Sequence, residues 1–179
     1  TSYTQHDAMK ISVTIATSVV NNVDFSLEPG VRISGTVKPT GLMTGVEGAQ
    51  VVVRDFATNN RLASAQAVAD GSYSVSVIPG SYRIVARNRT IAPYASEYYN
   101  AATGTNDRNL ATPVTGVAGT PITLDFELAA GSELSGTVND GAPVIDTTVK
   151  IDVASGGVAE NVDTDRNGYY NIWLSPDDY

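Results

Sequence analysis

The sequence predicts an all-β fold of tandem β-sandwiches, one complete and one incomplete. Three observations predict it. Apolar and polar residues alternate with period two in run after run, as in Tyr73, Val75 and Val77 against Ser72, Ser74 and Ser76, the pattern of a strand buried on one face. Turn signals built from Gly, Pro, Asn and Asp separate those runs at roughly 8 to 12 residues, which is sandwich spacing. Finally, Val23-Asp24-Phe25-Ser26-Leu27-Glu28-Pro29-Gly30-Val31-Arg32-Ile33-Ser34-Gly35-Thr36-Val37 aligns without a gap on the stretch from Leu124 to Val138, 101 residues later.

Taken in order, residues 1–8 are polar and hold the single histidine, His6. Ile11, Val13 and Ile15 then alternate with Lys10, Ser12 and Thr14, and after Asn21-Asn22 a second short strand runs through Val23, Phe25 and Leu27. Beyond Glu28-Pro29-Gly30, Val31, Ile33, Gly35 and Val37 form the inward row of another strand. Ala49 to Val53 and Arg61 to Val68 follow, divided by Asn59-Asn60. Asp70-Gly71 opens the strand at Tyr73. Pro79-Gly80 is expected to bend it as a type II turn into a hairpin with Tyr82, Ile84 and Ala86. Residues 88–119 are irregular, with one strand expected from Ala111 to Val117, and Ile122 to Leu128 alternates without a fault.

The phase of the repeat divides the chain. Residues 1–28 read as strands of a preceding or exchanged unit, 29–129 as a complete sandwich, and 130–179 as a second, truncated or strand-complemented one. Val51 and Val53 match Val149 and Ile151 98 residues on, and Gly71 and Pro79 match Gly168 and Pro176 97 residues on, so the losses fall in loops. The second unit lacks counterparts of Arg83 to Ala86 and of Ile122 to Leu128. A sandwich without those strands exposes open edges, so a neighbouring copy is expected to fill them by strand addition.

Composition excludes several classes of function. Among 179 residues, 11 basic side chains face 19 acidic ones for a net charge of -8, which repels nucleic acid and anionic lipid. No apolar run approaches the roughly 20 residues of a membrane span, so no membrane insertion is expected. There is no cysteine. The opening at Thr1 reads as a mature product or an excised fragment. No serine triad, phosphate loop or dinucleotide fingerprint is present, and Asp177-Asp178 are adjacent, not facing across a cleft, so the chain is not expected to be an enzyme.

The motifs Ile33-Ser34-Gly35-Thr36-Val37, Gly48-Ala49-Gln50-Val51-Val52-Val53, Asp70-Gly71-Ser72-Tyr73 and Pro79-Gly80-Ser81-Tyr82 resemble the carboxypeptidase regulatory-like domain, a transthyretin-like, Ig-like sandwich similar to the Cna B-type repeats of bacterial surface proteins. The resemblance covers the complete unit and, less well, the second. It implies a secreted or cell-surface, non-catalytic module in tandem with others, serving as spacer, adhesive or self-assembling repeat. Lys10, Lys38 and Lys150 do not sit in apolar strands beside an acid, so the internal cross-link of some Cna B-type repeats is not expected.

Two constellations are candidates for binding. Tyr94, Tyr98 and Tyr99, with Trp173, would give stacking faces for sugar rings, the basis of an alternative reading as a carbohydrate-binding accessory module of a secreted enzyme; the rim of a sandwich, with the hydroxyls in water, is the favoured place for the same rings. Asp163, Asp165 and Asn167 place oxygen ligands at alternate positions before Gly168, as a calcium loop begins, yet Leu174 stands where such a loop needs Glu, and the same residues make an Asx turn. No cofactor is required by this pattern. Asn88-Arg89-Thr90 matches the glycosylation triplet.

Overall fold

The computed structural model describes residues 29–87, 93–154 and 158–175. The strands expected within residues 9–27, the Asn88-Arg89-Thr90 triplet and the corner at Pro176 lie outside them. Alternation does become strand: β1 (Val31–Pro39), β2 (Gln50–Asp55), β3 (Arg61–Gln66), β4 (Ser72–Val77), β5 (Gly80–Arg87), β6 (Glu97–Tyr98), β7 (Val114–Gly116), β8 (Ile122–Thr123) and β9 (Phe126–Leu128) build the first unit. β10 (Ser132–Thr137), β11 (Thr148–Asp152), β12 (Val158–Asp163) and β13 (Tyr169–Leu174) follow, and the described residues contain no α-helix, only a short 3-10 turn at Arg108–Leu110.

The first unit is a sandwich. One sheet runs β4-β1-β8, with β9 continuing alongside β1, and the other runs β3-β2-β5-β6, with β7 also on β5. β1 pairs antiparallel with β4, Val31 opposite Val77, and parallel with β9, Val37 opposite Phe126. Inward rows from both sheets meet in a core that includes Val31, Ile33, Val51, Val53, Tyr82, Ile84, Phe126 and Leu128, all at most 1% exposed. Burying each such side chain stabilises by roughly 1.5–3 kcal/mol.

Two expectations are corrected. Tyr73 and Tyr82 do not lie on a hairpin: β4 belongs to one sheet and β5 to the other, so Pro79-Gly80 is a crossover between sheets. Gly80 keeps a φ outside the left-handed region and pairs with Gly116. The run from Ile122 to Leu128 splits into β8 and β9 because Leu124 and Asp125 turn their polar groups onto β1 and β4. The Tyr73 hydroxyl donates to the Leu124 carbonyl at 2.7 Å, and the Thr36 N–H and hydroxyl donate to Asp125 Oδ1 at 2.8 and 2.9 Å. Gly35 permits that approach, since a Cβ there would stand 1.8 Å from the Leu124 oxygen.

β10 to β13 repeat β1 to β4 bond for bond. β10 pairs with β13 in the register of β1 with β4, Thr137 opposite Tyr169 where Thr36 faces Ser72. β11 pairs with β12 as β2 does with β3, and the irregularity at Val53/Arg54 recurs at Ile151/Asp152. The bond from the Val37 N–H to the Gly71 carbonyl (2.8 Å) recurs from the Val138 N–H to the Gly168 carbonyl (2.8 Å), and both glycines hold φ near the left-handed region, +81° and +70°. That conformation is why glycine stands at both turns. The core of this second unit is small: Ile151, Val153 and Leu174, with Val149, Val162 and Ile172 packed beside them.

Candidate functional site

Two places in the molecule carry side chains that the packing alone does not use up. The first is the edge of β10. In the first unit β1 is flanked on both sides, and Ile33 is fully buried; its counterpart Leu134 is 40% exposed. β10 pairs only with β13 among the described residues, and β11 only with β12. The acceptor chemistry that closes the first sandwich is nonetheless present: Gly136 matches Gly35, Thr137 matches Thr36 and Tyr170 matches Tyr73. The Tyr170 ring lies over Gly136, where a Cβ would meet its hydroxyl oxygen at 2.9 Å.

The second place is the seam between the units. The strand pattern of β2 and β5 that sends Val51, Val53, Ile84 and Ala86 inward sends Gln50, Val52, Arg54, Arg83, Val85 and Arg87 outward. Register sets Arg54 opposite both Arg83 on β5 and Arg61 on β3, like charges side by side. On this outer face Val52, Val85, Tyr98 and Ala111 form a small apolar cluster, ringed by the guanidinium groups. β11 and β12 of the second unit then cover it. The result is a pocket of about 330 Å³ lined by Arg54, Arg61, Arg87, Arg108, Tyr98 and Asn59 from one side and by Thr148, Glu160, Asn161 and Asp163 from the other.

The electrostatics there are cation-rich. Glu160, 5% exposed, pairs with Arg87, 7% exposed, at 3.3 Å. Asp163 accepts from the Thr148 hydroxyl at 2.7 Å. Arg54 is held by the Asn59 carbonyl at 2.9 Å and Arg61 by the Ser64 hydroxyl, both neutral acceptors. Arg83 stacks over the Phe56 ring at 4.5 Å and reaches Asn59 Oδ1 at 3.3 Å. Burial, then the neighbouring Arg87 charge, pulls Arg54 below the usual arginine value; burial and Arg108 do the same to Arg83. Arg87 Nε is buried without a hydrogen-bond partner. The turn that presents Asn59 has that residue at φ +60°, a conformation Asn tolerates better than most side chains.

The seam is also held by backbone. Gly131 N–H donates to the Pro93 carbonyl at 2.7 Å, Ala95 N–H to the Ala129 carbonyl at 3.0 Å, and Tyr94 bridges Ala130. A Cβ on Gly131 would stand 2.9 Å from the Leu174 carbonyl and 3.3 Å from the Ala95 nitrogen, so the linker is pressed between the two units.

The residues singled out from sequence fall as follows. Tyr98 is 3% exposed in the outer cluster, while Tyr94 and Tyr99 pack against the main core. Neighbours in an extended segment face opposite ways, so the three rings do not share one exposed platform. Trp173 is half-buried on β13, opposite Glu133. Asp165 Oδ1 accepts from the Asn167 N–H at 2.8 Å and the Tyr169 N–H at 2.9 Å, which holds its carboxyl below the usual range and makes it the organiser of the turn into β13. Asp163 is the partner of Thr148 described above. Among the described residues no three His, Cys, Asp or Glu side chains gather as metal ligands. The arginine pocket is not legible in the sequence because its arginines come from four separate segments; the one local signal is a pair of arginines on the outward row of one strand, Arg83 and Arg87 bracketing Val85.

No family model and no curated protein matches the chain. Among solved structures, the Bacillus anthracis TIE protein is 15% identical with a TM-score of 0.40, over 82% of this chain and 26% of that one. A streptococcal ancillary pilin is 13% identical with a TM-score of 0.39, over 82% of this chain and 50% of that one. A DUF3823 family protein from Parabacteroides merdae is 15% identical with a TM-score of 0.39, over 81% and 80%. The chain thus spans about a quarter and a half of the first two.

Proposed function

We propose that the chain is a non-catalytic structural module of a secreted or surface-exposed protein, a stiff spacer whose open second unit takes a strand from another copy. One observation carries this reading: the residue types whose contacts close the first sandwich recur in two separated stretches of the sequence. The recipient half is Gly136, Thr137 and Tyr170. The donor half is Val23-Asp24-Phe25-Ser26-Leu27, which aligns with Leu124-Asp125-Phe126-Glu127-Leu128, identical at Asp24, Phe25 and Leu27 and apolar in both at Val23.

Carrying over the register of β9 on β1 sets Phe25 beside Val138, as Phe126 is beside Val37. Asp24 would then accept from the Thr137 N–H and hydroxyl, and the Val23 carbonyl from the Tyr170 hydroxyl, reproducing the bonds made by Asp125 and Leu124. Leu134 would lose its exposure to water. Because donor and recipient sit in different units, the contact is head-to-tail and passes from copy to copy, giving oligomers larger than a symmetric dimer. The short linker pressed between the units supports the spacer role, since it leaves little hinge freedom.

Light scattering on the full chain over a concentration series tests this. A ladder of oligomers is expected, collapsing to monomer in Phe25→Asp with the unfolding of the first sandwich unchanged. A monomer at every concentration would overturn the reading.

A further inference from the structure

Among the described residues, the pocket at the seam gathers more positive charge than acids to balance it. Four guanidinium groups, of Arg54, Arg61, Arg87 and Arg108, face two carboxylates, and both carboxylates are engaged, Glu160 with Arg87 and Asp163 with Thr148. Five of the chain's eight arginines stand on this one face, counting Arg83, in a protein whose net charge is -8. Arg87 is buried and Arg54 and Arg108 are partly buried, and holding those charges together costs energy that the neutral acceptor of Arg54 only partly returns. Arg87 is nine-tenths buried and its Nε–H has no acceptor. An oxyanion is the ligand that answers all of these, since guanidinium forks match oxygen pairs and a dianion would offset the excess of two charges.

We propose that this pocket binds a small oxyanion of the phosphate or sulfate type, free or carried on a sugar, through Arg54, Arg87 and Arg108 from the first unit and Thr148 and Asn161 from the second. The volume of about 330 Å³ admits the anion with a sugar ring attached. Tyr98, buried in the outer apolar cluster, also lines the pocket. Because the lining comes from both units, occupancy also braces their seam. The inference is independent of strand addition, which uses the edge of β10.

The test is calorimetric titration of the full chain with inorganic phosphate, sulfate, glucose 6-phosphate and glucose at constant ionic strength, alongside thermal unfolding. Saturable binding of the anions, with a raised unfolding temperature and none for glucose, is expected. A tighter fit for glucose 6-phosphate than for phosphate assigns the anion to a sugar; equal affinities assign it to the free ion. Arg54→Gln and Arg108→Gln should each weaken binding about tenfold or more, as loss of a charged hydrogen bond does. Arg32→Gln, on the other sheet beside Ser74, should leave it unchanged. No saturation at millimolar anion, or equal weakening by Arg32→Gln, would overturn the proposal.

Discussion

Among the described carboxyl groups, Glu97 is the one whose acid–base behaviour departs furthest from what its residue type prescribes. It sits on β6, pressed by the turn at Gly104, where a Cβ would stand 2.5 Å from its carboxyl carbon. Burial pushes its carboxyl up to about 7, opposed by a backbone hydrogen bond from Glu127 and aided by the Glu127 charge. The unfolded chain titrates near 4.5. Between those values the folded state holds a proton that the unfolded state has released, so this group's contribution is greatest in acid and is lost as pH rises through about 7. The unfolding temperature should therefore fall between pH 5 and pH 8, and Glu97→Gln should flatten that slope. A slope unchanged by the substitution would locate the titration elsewhere. Nothing in the local sequence, Ala95-Ser96-Glu97-Tyr98, foretells this; it follows from what packs above the strand.

Among strands, the crossing from β8 to β9 is fixed on β1 and β4 by a few specific contacts. Gly35 admits the Leu124 carbonyl, and Tyr73 and Thr36 secure it. Gly35→Ala should destabilise the first sandwich by about 3 kcal/mol, since a backbone carbonyl cannot step aside as a flexible side chain does. Tyr73→Phe, which removes one buried hydrogen bond, should cost about 1–2 kcal/mol. Urea unfolding measures both, and Tyr73→Phe proving the costlier would reverse the order argued here. The strands themselves were legible from period-two alternation, and Gly71 and Gly168 from the turns they had to make. The partners of the strands were not. Pro79-Gly80 has the composition of a hairpin turn, yet it carries the chain from one sheet to the other, because Tyr82, Ile84 and Ala86 face the core from the β2 side.

For the whole molecule, the contrast between the two units is one of covered area. The first unit encloses its apolar rows between two sheets, whereas the second, among the described residues, presents two two-stranded sheets with a core cluster of three buried residues. Residues 29–129 expressed alone should therefore unfold cooperatively, and residues 130–179 alone should not, because a core that small does not offset the entropy of ordering the chain. Heat capacity scans of the two pieces decide it; a cooperative transition in the shorter piece would show that the second unit is self-sufficient.

The all-β class, the repeat of about a hundred residues and the inward face of nearly every strand can be read from the residues alone, since alternation records which side of a strand is apolar. What lies over the other side is set by how the strands pack. Arg54, Arg83 and Arg87 occupy the positions of a solvated face, and they became a seam because a second unit folds down over them. Charge placed on a strand specifies the direction it points; whether it meets water or protein depends on contacts between segments far apart in the chain.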